Sequence, residues 1–527
     1  MIEQTVLSGD QNIAWDAPLK LRLLTELGYR VLHTIHSSDF FSRPPTRSGQ
    51  PIAVTPEAYT QDGNVTRWTA SMEAALFLGR MPINPQLFVE HGIHFERLAH
   101  FEKRPVDAIV AGLTVGDWLG LWHAKKERVA HGVPVVDFYK ELNALRKPIR
   151  RNLLESIAEP HNSPRIAVLD HLLNYGLYKT ASWADASIGL LRSLLEQWGS
   201  QCSLTTSVDY FSVQNGTIPL RILELFLRHY KDAREAYNEA VKGPGETILP
   251  LENGELPYYA VVEKEEALYR VDLHYPQAGK AEDLVREAAR HGSVRAIVGK
   301  ALVNFLELRM RCPMVLMALG SSYAPKSVRL ASLLLIMTGG KLALHPILRL
   351  HVGALDALSA VQHRFLLPEY LRDAFKTDWI DGTSFAAAWR GVVAAAEAEC
   401  QQLREESAES LLLQHPLIGT HGRDLAVHVK NLISRHHELL KRANGYPTTD
   451  AEKIRCTLAA EYEPQMLEAV FATLANGADM RKAQRLRKLL AISQSLPYWN
   501  CRPFTSWVFA LPKWYEAIRA GARVTQE

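Results

Sequence analysis

The stretch Thr5-Val6-Leu7-Ser8-Gly9-Asp10-Gln11-Asn12, with the apolar run Tyr29-Arg30-Val31-Leu32-His33-Thr34-Ile35-His36 behind it, decides the fold class of this chain. Thr5 to Leu7 reads as a strand that breaks at Ser8 into a polar loop. A helical pattern over about Asp16 to Leu27 follows and stops at Gly28, where the second apolar run begins. Strand, loop, helix and strand in so short a span open a parallel sheet, because a parallel pair needs a crossover of about a dozen residues or more. Parallel α/β sheets bind small molecules at the carboxyl ends of their strands. The loop Ser8 to Asn12 and the segment His36 to Asp39 would both lie there, which points to a small-molecule enzyme.

Working outward, the chain of 527 residues exceeds the roughly 250–300 over which one hydrophobic core keeps growing, so two or three lobes are expected. Its 47% hydrophobic and 22% charged residues are ordinary globular values. The formal charge of +3 is too near neutral for the basic field of a nucleic-acid binder, and the basic runs Lys147 to Arg151 and Arg481 to Lys488 read as solvated helix faces. The cysteines Cys202, Cys312, Cys400, Cys456 and Cys501 are odd in number and widely spaced. They form neither a disulfide framework nor a zinc-ribbon pattern, which fits a reducing cytoplasm. Met1 to Gln4 begin no signal sequence, and no apolar stretch reaches the roughly 18 residues of a membrane span.

The pattern divides into four parts. Residues 1–136 carry the first part of the sheet core and 137–245 a helical connecting region, including a clear apolar stripe over Leu220 to Val241. Residues 246–380 hold a strand-containing insert, signalled by alternation and by Asn253-Gly254, and then the second part of the core. In that part Ala281 to Leu308 reads as helix, Met314 to Leu319 as strand and Lys326 to Leu335 as helix. Residues 381–527 form a helical arm, with long helices broken at His415-Pro416, Asn444 to Pro447 and Asn476-Gly477.

Ser8-Gly9-Asp10-Gln11, Ala17-Pro18-Leu19 and His36-Ser37-Ser38-Asp39-Phe40 resemble the opening of the bacillithiol-biosynthesis cysteine-adding enzymes and their relatives. Glu255-Leu256-Pro257-Tyr258-Tyr259 and Thr338-Gly339-Gly340-Lys341 resemble further elements of that family, in the same order. The resemblance implies an α/β fold with a Rossmann-like parallel-sheet core, a helical middle region and a C-terminal antiparallel helical hairpin, a coiled-coil-like arm. It also implies an activity that joins an amine or thiol nucleophile, cysteine in the type enzyme, to a small acceptor. The chain departs from the family at Asp10, where glutamine is frequent, and at His36 and Asp39, which two serines separate.

On this reading Ser8, Gly9, Gln11 and Asn12 hold an anion at the first helix's amino end, where the macrodipole is positive. His36, oriented by Asp39, manages protons near neutrality. Gly339, Gly340 and Lys341 close the opposite wall, the glycines by close backbone approach and the lysine by its charge. His91-Gly92-Ile93-His94 has the wrong order for a nucleotidyltransferase signature and lacks a third metal ligand, so no metal site is assigned. No Walker loop, nucleophile elbow or Gly-x-Gly-x-x-Gly fingerprint occurs. No motif identifies a cofactor, and a nucleotide is carried as the candidate. The expectation is a cytoplasmic ligase or transferase acting on a small-molecule substrate, without membrane or nucleic-acid partners, and with the helical arm available for a homodimer. Its rival is a non-catalytic scaffold that uses the arm to dimerise or to bind a partner.

Overall fold

The computed structural model describes residues 4–10, 17–35, 52–53, 85–93, 95–102, 198–213, 220–242, 248–264, 267–276, 280–319, 324–361, 364–367, 369–405, 477–501 and 512–527, with isolated positions between 105 and 196. In chain order its strands are β1 (Thr5–Asp10), β2 (Arg30–Ile35), β3 (Ile52–Ala53), β4 (Ser203–Thr206), β5 (Glu255–Lys264), β6 (Ala267–His274), β7 (Ser293–Gly299), β8 (Met314–Met317), β9 (Ile347–His351), β10 (Arg364–Leu366), β11 (Trp379–Asp381) and β12 (Arg523–Gln526).

The opening unit folds as its pattern requires. Helix Ala17–Glu26 buries Leu19, Leu21, Leu23 and Leu24, and beyond it β2 runs parallel to β1. The strand is longer than the apolar run suggests: Ser8, Gly9 and Asp10 continue β1, paired with His33, Thr34 and Ile35. The strand therefore runs on through the position where the loop was expected to begin. Neighbouring strands satisfy the backbone of these polar residues, so their polarity does not end the strand.

Around this unit lies a six-stranded sheet in the order β12-β9-β8-β1-β2-β4, in which all neighbours pair parallel except β12, antiparallel to β9. Strand β4 comes from the region read as a mostly helical connection, and β12 from the end of the expected arm. Both are four-residue strands, too short to show a period of two against a helical background.

The insert is a four-stranded antiparallel sheet, β3-β6-β5-β7. Asn253-Gly254 is not its hairpin turn: β5 pairs with β6 across residues 265–266, and Asn253-Gly254 leads into β5. Strand β5 is buried on both faces, so alternation is lost in its centre. One face, with Tyr259 and Val261, shares a core with Leu7, Met314, Leu316 and Ile347 of the six-stranded sheet. The other, with Tyr258, Ala260 and Val262, packs against helices Arg221–Arg228 and Tyr230–Ala240. The span read as one helix from Ala281 to Leu308 is instead helix Ala281–Ala288, strand β7 and helix Ala301–Arg309. A central strand covered on both sides carries a continuous apolar run, which periodicity cannot tell from buried helix.

The far face of the six-stranded sheet is covered by helix Ala17–Glu26 together with the C-terminal helices. One apolar core runs from Val6 through Trp389, Leu403, Leu486 and Trp499 to Ile518. Helices Gly382–Glu405 and Gly477–Cys501 lie antiparallel, as the ion pair Arg485–Glu399 at 2.9 Å and the bond from Lys482 Nζ to the Arg404 carbonyl require. Their described parts belong to the core, so position 381 is no packing boundary. The helices expected between the breaks at His415-Pro416, Asn444 to Pro447 and Asn476-Gly477 lie outside the described residues. Among the described residues no helix is long and apolar enough to cross a membrane.

Candidate functional site

Strand order locates the site. From β1 the chain winds to β2 and β4 on one side, and from β8 to β9 on the other, so the connections part between β1 and β8. At such a switch point the carboxyl ends of the strands border an open crevice. The crossover helices lie on opposite faces: Ala17–Glu26 joins the core of Val6 and Val31, while Ala324–Met337 enters with Ala324 the core shared by the two sheets. Their amino ends both follow the carboxyl edge, one after β1 and the other after β8.

Register sets what lines this edge. Asp10, Ile35 and Thr206 form its outermost row, because Asp10 pairs with Ile35 and Ile35 with Thr206. Thr206 caps the short helix Ser207–Tyr210: its hydroxyl accepts from Asp209 N at 3.1 Å and donates to Asp209 Oδ2 at 2.7 Å. Two rows inward, Ser8 and His33 stand side by side on the face toward helix Ala17–Glu26. Ser8 Oγ and His33 Nδ1 share a hydrogen bond at 3.1 Å, and both side chains are wholly buried. Ser8 thus stands in the sheet face rather than in an anion-holding loop. His33, whose place in an apolar run marks it only as a strand residue, holds it there. Replacing Ser8 with alanine is expected to cost about 1–3 kcal/mol, since a buried imidazole nitrogen loses its partner. Urea unfolding would measure the loss, with ligand-dependent stabilisation unchanged.

On the other face, Gly9 presents no side chain and Thr34 is wholly buried. The insert adds charge here. Arg270 and Asp272 lie on the face of β6 paired with Val261 and Tyr259, the face turned to the shared core. Arg270 donates to Asp272 Oδ1 at 3.2 Å and stacks over the Tyr259 ring at 4.3 Å; Lys300 Nζ reaches the same carboxylate oxygen at 2.9 Å. Burial alone would raise the Asp272 carboxyl, but the two cations and their hydrogen bonds hold it below the ordinary carboxylate range. Charge and spacing within the insert gave no hint of this cluster, because its members meet only through strand pairing.

The other expected site residues divide into two groups. Gln11 and Asn12 of the loop, and His36 and Asp39, lie outside the described residues; His36 directly follows the last residue of β2. Gly339, Gly340 and Lys341 are described, and they stand at the other edge of the sheet. They end helix Ala324–Met337 and lead to the amino end of β9. Gly340 N bonds the Leu335 carbonyl and Gly339 N the Ile336 carbonyl, with φ of +82° and +61°, which makes a Schellman stop. The structure therefore does not bring this turn together with Gly9 and Asp10; a crossover helix returns the chain to the opposite end of the strands before the next one begins.

His91-Gly92 is likewise a helix end, closed by the bond from Ile93 N to the Phe88 carbonyl. Among the described residues no group of three or more His, Cys, Asp and Glu side chains is placed to hold a metal ion. The basic run Arg481 to Lys488 lies on helix Gly477–Cys501, where Arg485 pairs with Glu399. No family model matches the chain, and no curated protein matches it.

Proposed function

We propose that this chain is a small-molecule enzyme of the ligase or transferase type, built on a Rossmann-like core. It would join an amino-acid-type amine or thiol nucleophile, cysteine-like, to a small acceptor in thiol or specialised metabolism. One observation supports the reading: the six-stranded order with its switch point between β1 and β8, the place where parallel sheets bind small molecules, beside Gly9-Asp10 and at the carboxyl ends of strands that precede two helices. His36, the residue after β2, supplies the general acid or base, with Asp39 as its orienting partner. The anionic part of a substrate rests at the loop after Asp10, through Gln11 and Asn12. A nucleotide is the proposed cofactor, and the cytoplasm the proposed location.

The experiment is a thermal-shift screen of the full chain against nucleotides, amino acids and small acids. A ligand that binds only the folded state adds about 2.7 kcal/mol at one hundred times its dissociation constant. Stabilisation by members of these classes is expected, as is loss of turnover in His36→Ala with an unchanged unfolding midpoint. Full turnover in that variant removes His36 from the mechanism. No shift with any metabolite favours the scaffold reading instead.

A further inference from the structure

Helix Ala301–Arg309 brings a third amino end to the crevice. The helix packs Phe305 and Leu308 into the core shared with β1 and β8, and it runs toward the amino end of β8, where the Arg309 carbonyl accepts from His345 N just ahead of β9. Its first turn therefore lies toward the strands' carboxyl ends. Ser327, in the first turn of helix Ala324–Met337, confirms the placement by donating to the Leu302 carbonyl at 3.2 Å.

This amino end is built unlike an ordinary one. Helix starts favour an oxygen-bearing cap and acidic residues in the first turn. Here the cap position is Lys300, no side chain caps the helix, and no acidic residue stands in the first turn. Helices Ala17–Glu26 and Ala324–Met337 also lack acidic residues in their first turns. Their first turns carry the buried lysines Lys20 and Lys326, the latter donating to the Val241 carbonyl at 2.9 Å. The entry to the third helix is also as tight as a backbone allows: a Cβ at Gly299 would lie 2.6 Å from Asn304 N. Strand, glycine, lysine and helix in direct succession leave the first-turn N–H groups without a side-chain cap, next to Lys300, which shares the Asp272 carboxylate with Arg270.

An independent observation comes from β2. Thr34 shares the strand face of Leu32, which packs into the same core, and it stands one row from the carboxyl end of β2. Its side chain is wholly buried, yet Thr34 Oγ1 has no hydrogen-bond partner among the described residues. A buried hydroxyl left in that state carries a desolvation cost that a ligand oxygen removes.

We propose that this part of the crevice is a subsite for a phosphoryl group. Its oxygens are held by the amino end of helix Ala301–Arg309, by Lys300 and Arg270, and by the Thr34 hydroxyl, with Gly9 as the flat floor. The subsite deepens the small-molecule reading above and rests on it. The phosphoryl group belongs either to a phosphorylated acceptor or to a nucleotide.

The test is titration of the full chain with inorganic pyrophosphate at constant ionic strength. Saturable stabilisation that chloride does not reproduce is expected. Thr34→Val, isosteric and free of the buried hydroxyl, is expected to weaken pyrophosphate about tenfold, one hydrogen bond's worth, without lowering the unliganded midpoint. Lys300→Gln is expected to weaken it at least as much. Ribose 5-phosphate and a nucleoside diphosphate, titrated in parallel, tell which source the site takes. Pyrophosphate binding that neither variant changes overturns the subsite. So does stabilisation by amino acids alone, which leaves the enzyme reading standing. Indifference to every metabolite removes both.

Discussion

Trp514→Ala is expected to destabilise the protein by about 4 kcal/mol, within the roughly 3–5 kcal/mol range for emptying an aromatic core site. Trp514 is 1% exposed, lies in the core that contains Val6 and Val31, and donates from Nε1 to the Ala354 carbonyl at 2.6 Å. Alanine would leave a cavity and a buried carbonyl without its donor. The surroundings give the site little room to collapse. Arg22 stacks over the Tyr515 ring at 3.7 Å, Arg519 pairs with Glu26 at 2.8 Å, and β12 is fixed to β9 along four residues. Urea unfolding followed by circular dichroism reads the change in midpoint. A loss below about 1 kcal/mol would mean that the C-terminal segment is not part of the sheet's core.

The second large effect is expected at Glu307. Its side chain is 1% exposed, and three donors converge on Oε1: Ile222 N and Leu223 N, each at 3.0 Å, and the Tyr258 hydroxyl at 2.8 Å. The carboxyl thus closes the amino end of helix Arg221–Arg228 from a residue 85 positions away in the chain. Burial pushes it up to about 7 from its ordinary 4.5, against the lowering effect of the three hydrogen bonds and of Arg311. The folded state therefore holds a proton between pH 4.5 and 7 that the unfolded chain has released. The stability this confers is complete below the unfolded value and is lost as pH rises through the folded one, by about 3 kcal/mol at 1.36 kcal/mol per unit. Glu307→Gln keeps the accepting oxygen and cannot ionise. The difference in unfolding free energy between wild type and variant, measured from pH 4 to 8, should rise and level off across this window. A flat difference would show that the carboxyl does not titrate there.

Both effects lie where the sequence was hard to read. Glu307 sits in an apolar helix as an isolated acid, and nothing near it in the chain shows that a helix start over eighty residues earlier needs an acceptor. Trp514 lies in a short amphipathic segment at the end of what reads as a helical arm. Its burial depends on Ala354 and on the core of Val6 and Val31, all distant in sequence. His33 and Thr34 look alike as polar interruptions of a strand. Only pairing tells them apart, by turning His33 toward Ser8 and Thr34 toward the insert. Gly339-Gly340 was legible as a helix stop, while its place at the far edge of the sheet follows from the direction of a crossover.

By itself the sequence determined the parallel β1–helix–β2 opening, the stop at Gly28, an inserted strand region and a long helix at the start of the C-terminal region, because these rest on local periodicity and turn chemistry, which the residues carry wherever they are. Tertiary structure alone decided that β4 and β12 complete the opening sheet, that Ala281 to Leu308 contains a strand, and that Arg270 and Lys300 meet on the Asp272 carboxylate. Those outcomes depend on which surfaces bury one another across hundreds of residues, and burial on both faces erases the alternation by which a strand is recognised.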